Sequence, residues 1–428
     1  MTKKKLLIFL FGLTLFSFLI RVYRLTEPPH YYFDEVYHAV TAKAYADNNK
    51  DAYDPFAKAP KEGTAYDWLH PPLAKLIQAG SIKFLGDKSI GWRLPSLIFG
   101  TAIIPLTFVL AYLLFGPAVA VFASVVIAFE NLTFVMSRIT MNDVFITSFS
   151  LVAFIFTVLY TKRKKILYLF LTGLFLSLAI VSKWTGFYAA FVVILYLIVN
   201  AIKSRKFDFR LLVLFVLPPL VYLGSFGQYW LMGYNTRDFV NLNKQIWWYQ
   251  NRHDLEHSYG TTPLYCVPHG LVKDKTWCPW VLDARGVYFS YEEYKGENGE
   301  VKAGYIYALG NPLIFWSGII AVSYLLGKFL EERKKEYALI LLGYFIFWLP
   351  WIFTPRLLFL YHYLPAIPFM SIALGISLAA IYKTRLKYLS VLIVLIFIAA
   401  FFFFYPISSG FPIRVDAIDN YMWLSTWR

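Results

Sequence analysis

The sequence predicts an all-α, polytopic membrane protein, and three observations carry that reading. Of 428 residues, 58% are hydrophobic and 20% aromatic, with 16% charged, well under the roughly 25% charged of soluble domains. Apolar runs recur from end to end, enough for about eleven spans of some 20 residues each. Four basic segments, Thr161-Lys162-Arg163-Lys164-Lys165, Lys203-Ser204-Arg205-Lys206, Lys328 to Lys335 and Lys383-Thr384-Arg385-Leu386-Lys387, fall in loops on the side of Lys3-Lys4-Lys5. Positive residues collect on the cytoplasmic side, which places the N-terminus in the cytoplasm and the C-terminus outside. The net charge of +15 then faces anionic lipid heads and calls for no nucleic acid.

The first helix (residues 1–25) reads as an uncleaved span, because Arg21-Val22-Tyr23-Arg24 stands where small residues would mark a cleavage site. Residues 26–91 form a first external loop. Within it Val36 to Asp47 and Leu73 to Leu85 have helical periodicity and suit short helices lying on the membrane. Pro71-Pro72 is a good start for the second, since a proline at the first helical position loses no hydrogen bond. Spans two to seven occupy residues 92–231, in runs Trp92–Phe115, Ala118–Met136, Asp143–Tyr160, Ile166–Val181, Trp184–Ile202 and Leu211–Leu231.

A large external loop, residues 232–311, follows, and Gly296-Glu297-Asn298-Gly299-Glu300 in it reads as a hairpin turn. Spans eight to eleven occupy residues 312–405, in runs Pro312–Leu326, Tyr337–Phe353, Leu357–Ile381 and Tyr388–Tyr405, before an external tail, 406–428. Cys266 and Cys278 both lie in the large loop, where an oxidising exterior permits a disulfide. Two cysteines without nearby ligands make no metal site.

The ionisable residues gather on the external face. Asp34 and Glu35 sit where the chain leaves the first span. Asp34 could cap the helix behind it, or one carboxylate could take the proton of an incoming hydroxyl. Neighbouring helical side chains diverge by about 100°, so one of the two faces the acceptor, and Asp34 is the choice. His70 and Lys75 flank the proline start, and Arg93 heads the next span. Each cation alone could be a snorkelling interfacial residue; together they suit a phosphate at a helix start.

Glu130 and Asn131 inside an apolar run need partners, either as glue between helices or, with Arg138 and Asp143, as a wall of the site. Lys183 lies in another external turn. Arg356, Tyr361 and His362 cluster at the outer end of a span. An aromatic belt explains the tyrosine but not so readily the arginine and histidine.

The ordered pieces Phe33-Asp34-Glu35-Val36, His70-Pro71-Pro72-Leu73-Ala74-Lys75, Arg93-Leu94-Pro95-Ser96, Ser137-Arg138 with Asp143, Lys183-Trp184, Leu309-Gly310-Asn311-Pro312 and Arg356 with Tyr361-His362-Tyr363-Leu364-Pro365 resemble the protein O-mannosyltransferases of the GT-C architecture. The resemblance implies a multi-span fold with an external site and mannose carried on a polyprenyl or dolichyl phosphate. It implies transfer to Ser or Thr hydroxyls of translocated proteins, with the secretion machinery a candidate partner. Asp34 is then the base and Glu35 its neighbour in acceptor positioning. Lys75, Arg93, Arg356, Tyr361 and His362 are on the donor side, and His70, Glu130, Asn131, Arg138, Asp143 and Lys183 support or wall the site. The 232–311 loop has no room for the β-trefoil repeat domain of eukaryotic members, so the chain is similar to prokaryotic ones in a plasma membrane.

Departure of a lipid phosphate concentrates negative charge that fixed cations stabilise. Attack from the opposite face inverts the sugar with one carboxylate, unlike the two flanking carboxyls of a glycosidase. This chemistry requires no metal or cofactor. The alternatives are a related GT-C transferase with another lipid-linked sugar or acceptor, a lipid-sugar flippase and an inactive partner subunit. A flippase calls for polar residues at mid-span, whereas here they favour one face.

Overall fold

The computed structural model describes residues 2–204, 208–252, 278–295, 300–354 and 358–428. Each apolar run coincides with helix. Among the described residues, seven helices are long and apolar enough to cross a membrane: Lys3–Val22, Ser89–Phe115, Asp143–Arg163, Pro312–Glu332, Lys335–Phe353, Leu360–Tyr382 and Lys387–Ser409. Four more apolar helices, Pro117–Ala128, Ile166–Ile180, Gly186–Ile202 and Phe209–Ser225, are shorter.

The chain forms two compact units. One comprises Pro29–Phe99 and Ile139–Arg252. Here the Asp143–Arg163 helix packs on Ile166–Ile180, which in turn packs on Val213–Ser225, and Glu35–Ala46 packs on Leu73–Leu85. The two loop helices expected from periodicity are thus present, close to their expected bounds. Beneath them lies a core rich in tyrosine and tryptophan that includes Tyr45, Tyr53, Tyr66, Trp92, Phe226 and Tyr229. Pro72 stands at the N-cap of Leu73–Leu85, and the Leu73 amide donates to the Val181 carbonyl (3.1 Å), fixing where that helix begins.

The other unit comprises Met1–Pro28, Gly100–Arg138 and His253–Arg428. The Ile367–Tyr382 helix packs along Pro117–Ala128, so closely at Gly375 that a Cβ there would fall 2.7 Å from the Val119 carbonyl oxygen. Small residues permit such approaches between apolar helices. Three antiparallel strands, Val287–Lys295, Val301–Ala308 and Ile413–Arg414, pair in that order. The expected hairpin joins the first two, although its turn residues 296–299 lie outside the described residues.

Two expected spans are interrupted. The run Ala118–Met136 ends as helix at Ala128 and restarts at Asn131. Glu130 between them is extended, and its carboxylate accepts from the amides of Leu132 (2.9 Å) and Thr133 (2.6 Å). A buried acid satisfied in this way costs less than one facing lipid. The run Leu357–Ile381 begins with a tight 3₁₀ segment, Leu360–Ala366, before Ile367–Tyr382, with Pro365 inside the 3₁₀ turn.

Candidate active site

In the unit made of Pro29–Phe99 and Ile139–Arg252, Asp34 occupies the N-cap of Glu35–Ala46, but its side chain makes no capping bond. The half-buried side chain sits at the N-terminal end of the helix. Glu35 is the opposite case. It is 0% exposed; Oε1 accepts from Arg93 Nε (2.9 Å) and the Thr140 amide (3.1 Å), and Oε2 accepts from Arg93 Nη2 (2.8 Å). Both oxygens are held, so Glu35 is an anchor for the helix start rather than an open base.

Arg93, also 0% exposed, donates in addition to the His30 carbonyl (2.9 Å) and lies over the Tyr32 ring, 4.7 Å from its centroid. The guanidinium fork matches a carboxylate in a way that a lysine could not. Where the sequence suggested a cation awaiting phosphate, the structure places a buried arginine paired with Glu35.

Lys75 is likewise 0% exposed. Its ammonium donates to Asp67 Oδ2 (2.9 Å), to the Asp67 carbonyl and to the His70 carbonyl (3.2 Å), which uses its three N–H bonds. His38 Nδ1 lies 2.8 Å from the same Asp67 Oδ2, close enough to pair although its N–H is not well aimed along that line. The His38 and His70 rings are stacked at 6.3 Å.

Burial is the largest influence on the Asp67 carboxyl and pushes its pKa up, but Lys75, His38 and His70 together hold it well below the usual carboxylate range. Burial lowers the Lys75 ammonium, with Asp67 opposing. His70 is held well below the ordinary imidazole value, first by the protein packed about its ring and then by Lys183, Lys75 and His38, against the pull of Asp67. Part of His70 still reaches solvent, which tempers that effect. Beside this network Lys183 Nζ donates to Asp143 Oδ1 at 2.8 Å.

In the other unit, the candidates hold backbone in place. Arg138 donates to the carbonyls of Arg21 (2.6 Å), Tyr23 (2.6 Å), Arg24 (3.0 Å) and Ser409 (3.2 Å). It thereby closes the C-terminal end of the Lys3–Val22 helix, where carbonyls lack partners and positive charge is favoured. Asn131 donates to Ser408 Oγ (3.2 Å), and Glu130 also accepts from the Asn311 amide (3.2 Å). Asn311 in turn donates to the carbonyls of Phe129 (3.1 Å) and Phe397 (2.9 Å).

Tyr361 and His362 are buried. The His362 ring lies among Trp280, Trp351 and Tyr361, at centroid distances of 6.1, 4.7 and 4.7 Å, and its Nδ1 is 3.0 Å from the Phe359 carbonyl. Arg356 and Cys266 lie outside the described residues. Cys278 opens a short 3₁₀ turn, Cys278–Leu282.

The sequence reading missed Asp67, His38 and Asp283. Asp283 is fully buried, accepts from the Gly310 amide (2.9 Å) and has its carboxyl pushed well up by burial. The one available hint was that His38 lies one helical turn beyond Asp34.

Residues 12–232 match the family described as dolichyl-phosphate-mannose-protein mannosyltransferase, and residues 235–427 match the C-terminal four-transmembrane region of protein O-mannosyltransferase. The polyprenol-phosphate-mannose–protein mannosyltransferase of Corynebacterium glutamicum is 23% identical over 427 residues, covering 84% of this chain and 81% of its own length. Among solved structures, the Saccharomyces cerevisiae protein O-mannosyltransferase Pmt1-Pmt2 complex bound to the sugar donor aligns with a TM-score of 0.78 at 15% identity, covering 100% of this chain and 93% of that one. ArnT from Cupriavidus metallidurans bound to undecaprenyl phosphate aligns with a TM-score of 0.63 at 12% identity, over 95% and 77% of the two chains. The fold is that of the GT-C glycosyltransferases.

Proposed function

Since the chain belongs to the dolichyl-phosphate-mannose–protein mannosyltransferase family, we propose that it moves mannose from a polyprenyl or dolichyl phosphate to Ser or Thr hydroxyls of proteins. Curated relatives bearing that activity in their names, aligned over most of both chains, support the donor and the reaction. We place the reaction on the external face of a prokaryotic plasma membrane, where the acceptor is a translocated protein and the secretion machinery is a candidate partner. The basic loops on the side of the N-terminus support that orientation.

One observation supports the division of labour between the two acids: Glu35 has both oxygens committed to Arg93 and Thr140, whereas the Asp34 carboxylate is half-buried and does not cap its helix. In the proposed step Asp34 accepts the proton of the Ser or Thr hydroxyl as its oxygen attacks the anomeric carbon. The carbon–oxygen bond to the phosphate breaks on the opposite face, the configuration inverts, and the lipid phosphate leaves with the electron pair. No metal or cofactor enters this scheme.

Lys75 and Arg93, each tied to a carboxylate, shape the framework, and any help they give the phosphate is through their field at short range. Arg356, assigned from the sequence, is the proposed direct phosphate contact, with Tyr361 and His362 on the lipid side.

The test is transfer from labelled polyprenyl-phosphate-mannose to a Ser/Thr peptide by purified protein in liposomes, for wild type and Asp34→Asn. Transfer by wild type that drops at least a hundredfold in the variant is expected, since a general base is worth about 10²–10⁴. Equal rates would remove Asp34 from the role of base; labelled lipid crossing the bilayer without transfer would mean a flippase.

A further inference from the structure

The unit that contains Asp34 holds a half-open cavity of about 380 Å³ lined by residues from 53–56 and from 229–245. One wall is a single face of the Thr236–Gln250 helix, on which Asp238, Asn241, Leu242 and Gln245 follow at helical spacing. The other is the turn Asp54-Pro55-Phe56, and Tyr53, Tyr229 and Tyr234 close the floor.

The floor is rigid. Tyr229 and Tyr234 stack at 4.2 Å and 8°, and Tyr53 meets Tyr229 edge-on at 5.2 Å. Tyr53 donates to Gln228 Oε1 (3.2 Å) and Tyr234 to the Lys50 carbonyl (3.0 Å).

Lys244 on the same helix is an exposed cation of the lining, and the acids and amides there divide into two sets. Asp54 accepts from the Phe56 amide (2.9 Å) and Asp238 from the Asn235 amide (3.1 Å), so both acids serve their own segments. Among the described residues, none bonds the side-chain amides of Asn241 and Gln245, which line the cavity one helical turn apart. Each offers both a donor and an acceptor, the pair of functions a peptide group presents. Phe56, on the rim, is 81% exposed. A sugar is disfavoured because Tyr53 and Tyr229 are 3% and 1% exposed and each already has a face stacked on another ring, Tyr45 and Tyr234 respectively. The volume is at the small end for a ligand pocket, room for a short stretch of chain.

Tyr53 stacks on Tyr45 at 4.5 Å, and Tyr45 is near the C-terminal end of the Glu35–Ala46 helix whose N-cap is Asp34. The rise along that helix separates the two ends by about 15 Å, which an extended peptide covers in about five residues. We propose that this cavity is an anchor subsite for the acceptor polypeptide, holding a segment about five residues from the hydroxyl that reacts. The proposal rests on the mannosyltransferase reading above. Asn241 and Gln245 bond the acceptor backbone, and Phe56 covers an apolar side chain.

The experiment compares two Ser/Thr peptides, one with eight flanking residues on each side of the acceptor and one with two, using full-length protein in liposomes. Wild type is expected to show about a tenfold lower KM for the long peptide, the worth of one or two net hydrogen bonds. The triple variant Phe56→Ala, Asn241→Ala, Gln245→Ala is expected to raise the long-peptide KM to the short-peptide value, with kcat and short-peptide kinetics unchanged. Equal KM for the two peptides in wild type, or a variant that shifts both alike, overturns the subsite. Competition by free mannose for only the variant-sensitive part of binding also overturns it, in favour of a glycan occupant. Fluorescence anisotropy of the labelled long peptide separates the two readings: variant-sensitive binding without any transfer leaves the subsite standing and removes the reaction.

Discussion

Arg93 grips Glu35 through two hydrogen bonds, Nε to Oε1 at 2.9 Å and Nη2 to Oε2 at 2.8 Å, with both side chains wholly buried. Glu35 is the immediate neighbour of Asp34, so the geometry of this pair is passed directly to the backbone that carries the proposed base.

Arg93→Lys keeps the charge but loses the two-pronged contact. Because a cation remains beside Glu35, the cost stays below the figure of about 3–5 kcal/mol for removing one partner of a buried pair. The expected result is a lower melting temperature in detergent and a loss of turnover, with the donor dissociation constant unchanged. A stable protein that binds donor weakly would instead put Arg93 on the phosphate.

Asp67→Asn leaves Lys75 charged in a site with no exposure and should destabilise by about 3–5 kcal/mol. The double variant Asp67→Asn, Lys75→Met removes the buried charge as well, and it should recover a large part of the loss in a double-mutant cycle. An additive cycle would mean that the two residues do not depend on each other.

His70 and Asp67 give the fold a definite acid sensitivity. The His70 pKa is depressed in the native state, so below its unfolded value of about 6.5 the unfolded chain takes up a proton that the folded one refuses. Stability therefore falls from pH 7 to pH 5, by at most roughly 2 kcal/mol for a fully enclosed ring and by less here because the ring is partly solvated. The Asp67 pKa is also depressed; its contribution is present above about pH 3.9 and is lost as pH falls through the folded value. Melting curves at pH 7.5 and 5.0 should show the drop in wild type and a flatter response in His70→Asn. Equal drops would exclude His70 as the source.

Asn311→Ala should cost about 1–3 kcal/mol, because it leaves the carbonyls of Phe129 and Phe397 without the donor they share. Asn311→Asp should not rescue the loss, since it brings a carboxylate rather than an amide donor to those oxygens. Chemical denaturation in detergent micelles reads both.

Periodicity and turn chemistry made the helices legible. The apolar runs and the two loop helices announce themselves through spacing, and Gly296 to Glu300 marked the hairpin that Val287–Lys295 and Val301–Ala308 form. The restart at Asn131 is less legible, because Glu130 is an acid within an apolar run and its three acceptor contacts with Leu132 and Thr133 exist only in the folded chain. Charges at the site were legible as a set but not as pairs. Asp67 meets His38 from 29 positions away and Arg93 meets Glu35 from 58, and no local pattern encodes such partnerships. The sequence thus suggested cations open to phosphate where the fold had already supplied carboxylates.

The pairs Glu35–Arg93, Asp67–Lys75 and Asp143–Lys183 are buried and each neutral in sum. Dissolved ions screen charges that water surrounds, and the screening length shrinks to about 3 Å at 1 M, but it acts little on pairs set within protein. Exposed contacts such as Lys43–Asp47 will loosen in concentrated brine, while the scaffold beneath Asp34 will keep its shape. Ionic strength should therefore act on this protein through its encounters with charged lipids and acceptors, and leave its internal architecture alone.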